Sequence, residues 1–69
     1  TDFVAYSRTD ASVSPATEAI FLYMFESKSI YRLTQDYESA QLLGVSGDYV
    51  IWMDVTSRER DIVKYVKIP

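Results

Sequence analysis

No apolar segment of this chain is long. The longest nearly apolar run, residues 19–25, is far short of the roughly 20 residues that a membrane-spanning helix needs. The other apolar segments are rich in Val, Ile, Tyr and Phe and are bounded by Ser, Asp, Gly and Thr. That punctuation predicts strands rather than helices. Six segments qualify: residues 3–8, 19–25, 30–34, 40–45, 49–54 and 61–68. Residues 10–17 form a loop in which Pro15 interrupts any pairing. The polar break at residues 26–29 predicts a hairpin with a four-residue loop. Ser46-Gly47-Asp48 supplies turn chemistry, because glycine takes the positive φ that a tight reversal requires. Residues 19–25 are apolar on both faces and predict a strand covered on both sides, or the start of a buried helix. The lysines of the last segment stand where an exposed or edge strand carries them. A competing helix over residues 34–43, with Thr34 capping and Tyr37, Ala40 and Leu43 on one face, would last three turns at most.

The chain of 69 residues holds one compact unit, and a chain of this size buries only about 60% of its unfolded surface. Aromatics at 14% and hydrophobics at 48% exclude a disordered composition. There is no cysteine and no histidine, which removes disulfides, thiolate chemistry, the usual structural zinc sites and every imidazole mechanism. Ser12, Ser14 and Thr17 therefore have no histidine to activate them, and no motif supports a lysine-assisted serine. Ten acidic residues against seven basic ones give a net charge of −3, the wrong sign for a phosphate-backbone binder. The expectation is an all-β, non-catalytic chain without a cofactor, binding no nucleic acid and inserting into no membrane. It opens at Thr1, as a processed piece would.

An internal repeat organises the segments. Phe3-Val4-Ala5-Tyr6-Ser7-Arg8 matches Tyr49-Val50-Ile51-Trp52-Met53-Asp54 in its order of aromatic and aliphatic residues, at an offset of 46. Glu18-Ala19-Ile20-Phe21-Leu22-Tyr23 lies against Arg60-Asp61-Ile62-Val63-Lys64-Tyr65 at an offset of 42, with the difference absorbed by the longer first loop. A strand-rich unit of this period is that of a β-propeller blade.

The residues also resemble a family. Gly47-Asp48-Tyr49-Val50-Ile51-Trp52-Met53-Asp54, followed by Arg58 and then Asp61-Ile62-Val63-Lys64-Tyr65, resembles the repeat of TolB-like β-propellers, in which a glycine-led strand ending in Trp-x-Asp precedes an Asp-Ile-Tyr-x-Tyr type strand. The Trp52-Met53-Asp54 step is also similar to the YWTD repeats of lipoprotein-receptor propellers. The earlier copy departs from the pattern, carrying Tyr6-Ser7-Arg8 in place of Trp-x-Asp, and Ile30-Tyr31-Arg32-Leu33-Thr34 resembles the strand that closes a blade. The resemblance implies that residues 3–34 end one blade and residues 40–68 begin the next, about one and a half blades in all. It implies an extracytoplasmic setting and a role in protein interaction or scaffolding. A unit with so few strands belongs to a larger propeller, assembles from several copies, or curls into a small barrel or sandwich. Two further expectations stand beside the leading one. The chain is the propeller portion of a prolyl-oligopeptidase-like hydrolase whose catalytic domain lies elsewhere, or it is a free-standing β-domain that binds a protein by strand addition at its edges.

Five residues are candidates for binding. Asp54 and Asp61 flank the loop that holds Arg58, a grouping that could hold calcium or clamp a carboxylate, although it lacks the ligand density of a calcium loop. The favoured expectation is structural, with Asp54 accepting backbone N–H groups in the turn. Trp52 and Tyr65, with Tyr49 and Tyr23, could form an aromatic platform for a sugar or peptide, against the plainer expectation that they fill a core.

Overall fold

Each stretch of turn-forming residues becomes a chain reversal in the computed structural model, which describes residues 2–57 and 59–69. Six strands result: β1 (Phe3–Asp10), β2 (Thr17–Met24), β3 (Ser29–Arg32), β4 (Ala40–Ser46), β5 (Tyr49–Asp54) and β6 (Ile62–Lys67). They make two antiparallel three-stranded sheets, ordered β1-β2-β3 and β4-β5-β6. The fold is all-β, and no helix forms among the described residues. The helix considered over residues 34–43 is replaced by a turn and by β4, because Ala40 and Leu42 pair with Asp54 and Trp52 of β5. A ladder against a strong neighbouring strand outweighs the weak helical pattern of so short a segment.

The turns follow local chemistry. Gly47 and Asp48 form a two-residue loop between β4 and β5, with φ of 58° at Gly47. Positive φ at the first loop residue alone is the II′ pattern, whose twist matches that of the flanking strands. Gly44, at φ 152°, absorbs the register shift where β4 bulges between Leu42 and Gly44. In the β2–β3 hairpin, Lys28 takes the left-handed conformation at φ 57° without being a glycine.

The two sheets pack face to face in a slab of 37 × 24 × 13 Å, thin enough for two layers and no more. Ile20 and Leu22 from β2 meet Ala40, Val50, Trp52 and the following Ile68, with Phe3, Ala5 and Met24 closing over them. The strand β2 is central to its sheet; Thr17 and Ala19 at its start are buried on the side away from the second sheet, but the rest of that side is not covered. Phe21 and Tyr23 point away from the second sheet and stay half-buried beside Tyr6 and Phe25. The connection from β3 to β4 is tied to both layers. Leu33 N–H donates to Ile20 O at 2.9 Å, the buried Thr34 hydroxyl accepts from Ile20 N–H at 3.3 Å, and Val55 N–H donates to Ser39 O at 2.9 Å.

The ladders depart from the residue match read between the two halves of the sequence. Phe3 pairs with Met24 and Tyr49 pairs with Lys67. Laying Phe3 on Tyr49 therefore lays Met24 on Lys67, an offset of 43 for the second strand where the sequence match reads 42. One residue inverts every side chain of a strand. With the ladder offset, Leu22 corresponds to Tyr65 and Phe21 to Lys64. The matched strands then bury opposite faces: Phe3 and Ala5 of β1 face the other sheet, whereas Val50 and Trp52 do so in β5.

The turn geometry makes a prediction in two directions. Gly47→Ala costs about 1 kcal/mol from backbone strain alone, since an added Cβ meets nothing within 4 Å. Lys28→Gly relieves the same strain and raises the denaturant midpoint. Equilibrium urea unfolding of the two variants should shift the midpoint in opposite directions.

Candidate functional site

The strongest polar constellation lies between the sheets and centres on Glu38. Glu38 sits in the polar connection before β4 and is only 4% exposed. A charge so placed needs partners, and three are present. The indole Nε1–H of Trp52 donates to its Oε2 at 2.9 Å, the Lys64 ammonium lies 3.5 Å from the same oxygen, and Gln35 N–H donates to Oε1 at 3.4 Å. Lys64 also reaches Oδ2 of Asp54 at 3.0 Å. One cation thus bridges two carboxylates.

Asp54 has a second task. Its Oδ1 accepts from the Thr56 backbone N–H at 3.0 Å and from the Thr56 hydroxyl at 2.6 Å, closing the turn after β5. The Thr56 hydroxyl foremost, with Lys64 adding to it, holds the Asp54 carboxyl below its ordinary range. The bond to Asp54 in turn raises Lys64 above the usual lysine value. The structural expectation for Asp54 is the arrangement found.

The other candidates do not converge on Trp52. Trp52 is 5% exposed on the inner face of its sheet, while Tyr65 is 69% exposed on the outer face. Tyr65 packs edge-on against Tyr49, with ring centroids 5.9 Å apart. Tyr23 lies on the outer face of the other sheet, edge-on to Phe25 at 5.2 Å. The four-ring platform is therefore split between a core tryptophan and two separate surfaces. Asp61 is exposed just before β6, and Arg58 lies outside the described residues. No group of three or more acidic residues gathers to hold a metal among the described residues.

A second cluster closes one end of the first sheet. Arg32 on β3 reaches across β2 to Asp10 on β1 at 2.6 Å, and donates to Thr34 O at 2.9 Å and to Gln35 O at 3.2 Å. Its guanidinium lies 5.9 Å from the centroid of the Phe21 ring. Hydrogen bonds from Ser12 foremost, then Arg32, lower the Asp10 carboxyl to about 2. A shallow hollow of about 400 Å³, lined by Arg8, Asp10, Ser12, Phe21 and Arg32 among others, opens beside this pair.

Sequence reasoning missed Glu38, and although β6 is an edge strand, as its lysines suggest, it left the direction of Lys64 unread. Glu38 stands in a polar connection with no local signature, and only the need of a buried indole N–H for an acceptor pointed to such a residue. Lys64 does not stand on the exposed side of its strand. It points inward and pairs with Asp54 and Glu38. Its position directly across the ladder from Trp52 puts it on the inner face.

Two predictions follow from these pairs. Glu38→Ala strands the Trp52 indole and costs about 2–3 kcal/mol, whereas Glu38→Gln keeps an acceptor and costs less. Denaturant unfolding followed by tryptophan fluorescence measures both, and equal losses would remove Glu38 from this role. Asp10 has a folded pKa near 2, below its unfolded value of about 3.9, so the unfolded state binds more protons in that interval. Stability rises with pH there. The contribution is complete above about pH 4 and is lost as pH falls toward 2. Asp10→Asn should flatten that part of the acid-unfolding profile relative to the wild type. Comparison of the chain with family models, with curated proteins and with solved structures finds no match.

Proposed function

We propose that this chain is a non-catalytic segment of β-propeller type that serves protein–protein interaction or scaffolding. One observation carries the reading: both outer faces of the two-sheet slab carry open apolar patches, bordered by the Arg32–Asp10 pair on the first sheet and by Lys67 on the second. On the first sheet, Val4, Tyr23 and Ile30 form one cross-strand row, with Tyr6 and Phe21 stacked beside it at 5.7 Å. On the second, Tyr49, Ile51, Met53, Val63 and Tyr65 share the outer face. Ile30 is 61% exposed and Val63 60%. Scattered apolar residues on a surface are ordinary, whereas contiguous patches on two opposite faces mark surfaces that expect a cover. The polar groups support the same reading. The Glu38, Lys64 and Asp54 cluster is consumed in tying the connection and the turn after β5, and the Asp10–Arg32 pair in closing a sheet end.

The sheets also have free edges, since each holds only three strands. That favours, as a second reading, a partner adding a strand beside β1 or β6. A photo-cross-linking residue placed in turn at Ile30, at Tyr65 and at the loop residue Asp48, in the cells that make the protein, separates the possibilities. Cross-links to protein from the two face positions, and not from Asp48, are expected. Their absence from both faces would overturn the interaction reading.

A further inference from the structure

We propose that the partner of each open face is a second copy of this chain, docked head to tail, with the outer face of the β4-β5-β6 sheet of one copy lying on the outer face of the β1-β2-β3 sheet of the next. The proposal rests on the interaction reading above and adds the identity of the partner.

The interface inside the chain supplies the template. If the two sheets were related as the halves of a self-complementary sandwich, matched residues would be buried on both. They are not. Phe3 and Ala5 are turned toward the other sheet, while their counterparts Tyr49 and Ile51 are on the outer face. Val50 and Trp52 are buried, while their counterparts Val4 and Tyr6 face outward. The contact is heterologous, made by the front of one sheet on the back of the other. Such a contact always leaves one unused front and one unused back, and further copies of the same unit can occupy them.

The residue chemistry fits that continuation. On the free face of the second sheet, Tyr49 stands for Phe3, Ile51 for Ala5 and Val63 for Ile20. On the free face of the first sheet, Val4 stands for Val50 and Tyr6 for Trp52. Apart from the Arg32–Asp10 pair at one end of the first face and Lys67 on the second, each open face thus presents side chains of the kind already packed within the chain. The Lys64 position is taken on the first sheet by Phe21, so the free face there carries an aromatic ring where the internal interface carries a cation. The docked face of the second sheet carries Lys67 where the internal interface has Met24, so its ammonium group stays at the rim of the contact, beside the edge of the sheet. Two like faces, front on front, have no counterpart within the chain.

Sedimentation of the purified chain tests the proposal, using one exposed residue per face. Wild-type protein should sediment as larger species with rising concentration. Ile30→Glu alone and Tyr65→Glu alone should each remain monomeric, because every copy then lacks the same half of the contact. Mixed one to one, they should form a dimer and nothing larger, since each contributes the face the other lacks. Circular dichroism confirms that the variants keep their strands, and Val4→Glu with Val63→Glu replaces any variant that does not. Three outcomes would overturn the proposal: a wild type monomeric up to about 1 mM, the weak end of specific association; a single-face variant that self-associates like the wild type; or a mixture that stays monomeric. A monomeric wild type whose faces still cross-link to another protein in cells removes the second copy and leaves the interaction reading standing. Loss of those cross-links removes the reading itself.

Discussion

The carboxylate of Glu38 is the constraint on which the arrangement of the two layers turns. It is carried by the connection between the sheets, it is buried, and it is held by a tryptophan and a lysine of the second sheet. A few residues earlier the same connection gives the Thr34 hydroxyl to the backbone of β2. The linker is thus fastened to one layer at its start and to the other near its end. Burying a charged group is costly unless every partner is in place, so the satisfied network favours one relative placement of the layers over others that would strand the carboxylate. Apolar contact supplies the attraction between the sheets and is non-directional. The polar network supplies direction.

Much of the fold is legible from residue order. Turn chemistry at Gly47-Asp48 and the polar break before β3 locate the hairpins, and runs of β-branched and aromatic residues locate the strands. The faces are less legible. Alternation of apolar and polar residues tells inside from outside only when one side faces water. In β2 and β5 both sides are apolar, so Phe21 and Ile20 look alike in sequence while one faces the second sheet's core and the other does not. The residue match between the two halves illustrates the same limit. Aligning Tyr23 with Tyr65 is the best match of residue types and gives an offset of 42, whereas backbone pairing sets 43. Hydrogen-bond registry decided the matter, and no residue type records it.

The site was partly legible for a related reason. The bonds of Asp54 to Thr56 span two residues, and the Asp-x-Thr pattern announces them. The Glu38 bond to Trp52 spans 14 residues and that to Lys64 spans 26, and they exist only once β4, β5 and β6 have paired. The edge position of β6 was legible from its lysines, but the inward turn of Lys64 was not, because a charged residue on a terminal strand ordinarily faces solvent. Here two carboxylates on the inner side offset the cost of turning it in. The aromatic candidates failed to converge because Trp52 and Tyr65 project from opposite faces of neighbouring strands.

Among the described residues, only Ile20 and Val50 have large side chains removed from water entirely, one in each sheet. Neither layer has a core of its own, since each buries its apolar side only against the other. A three-stranded sheet without such cover is marginal in water. The structure should therefore come apart as one cooperative unit rather than as two. A cut in the chain between β3 and β4 would yield two fragments that must find each other before either is ordered, so complementation of the halves and folding of the whole would be the same event.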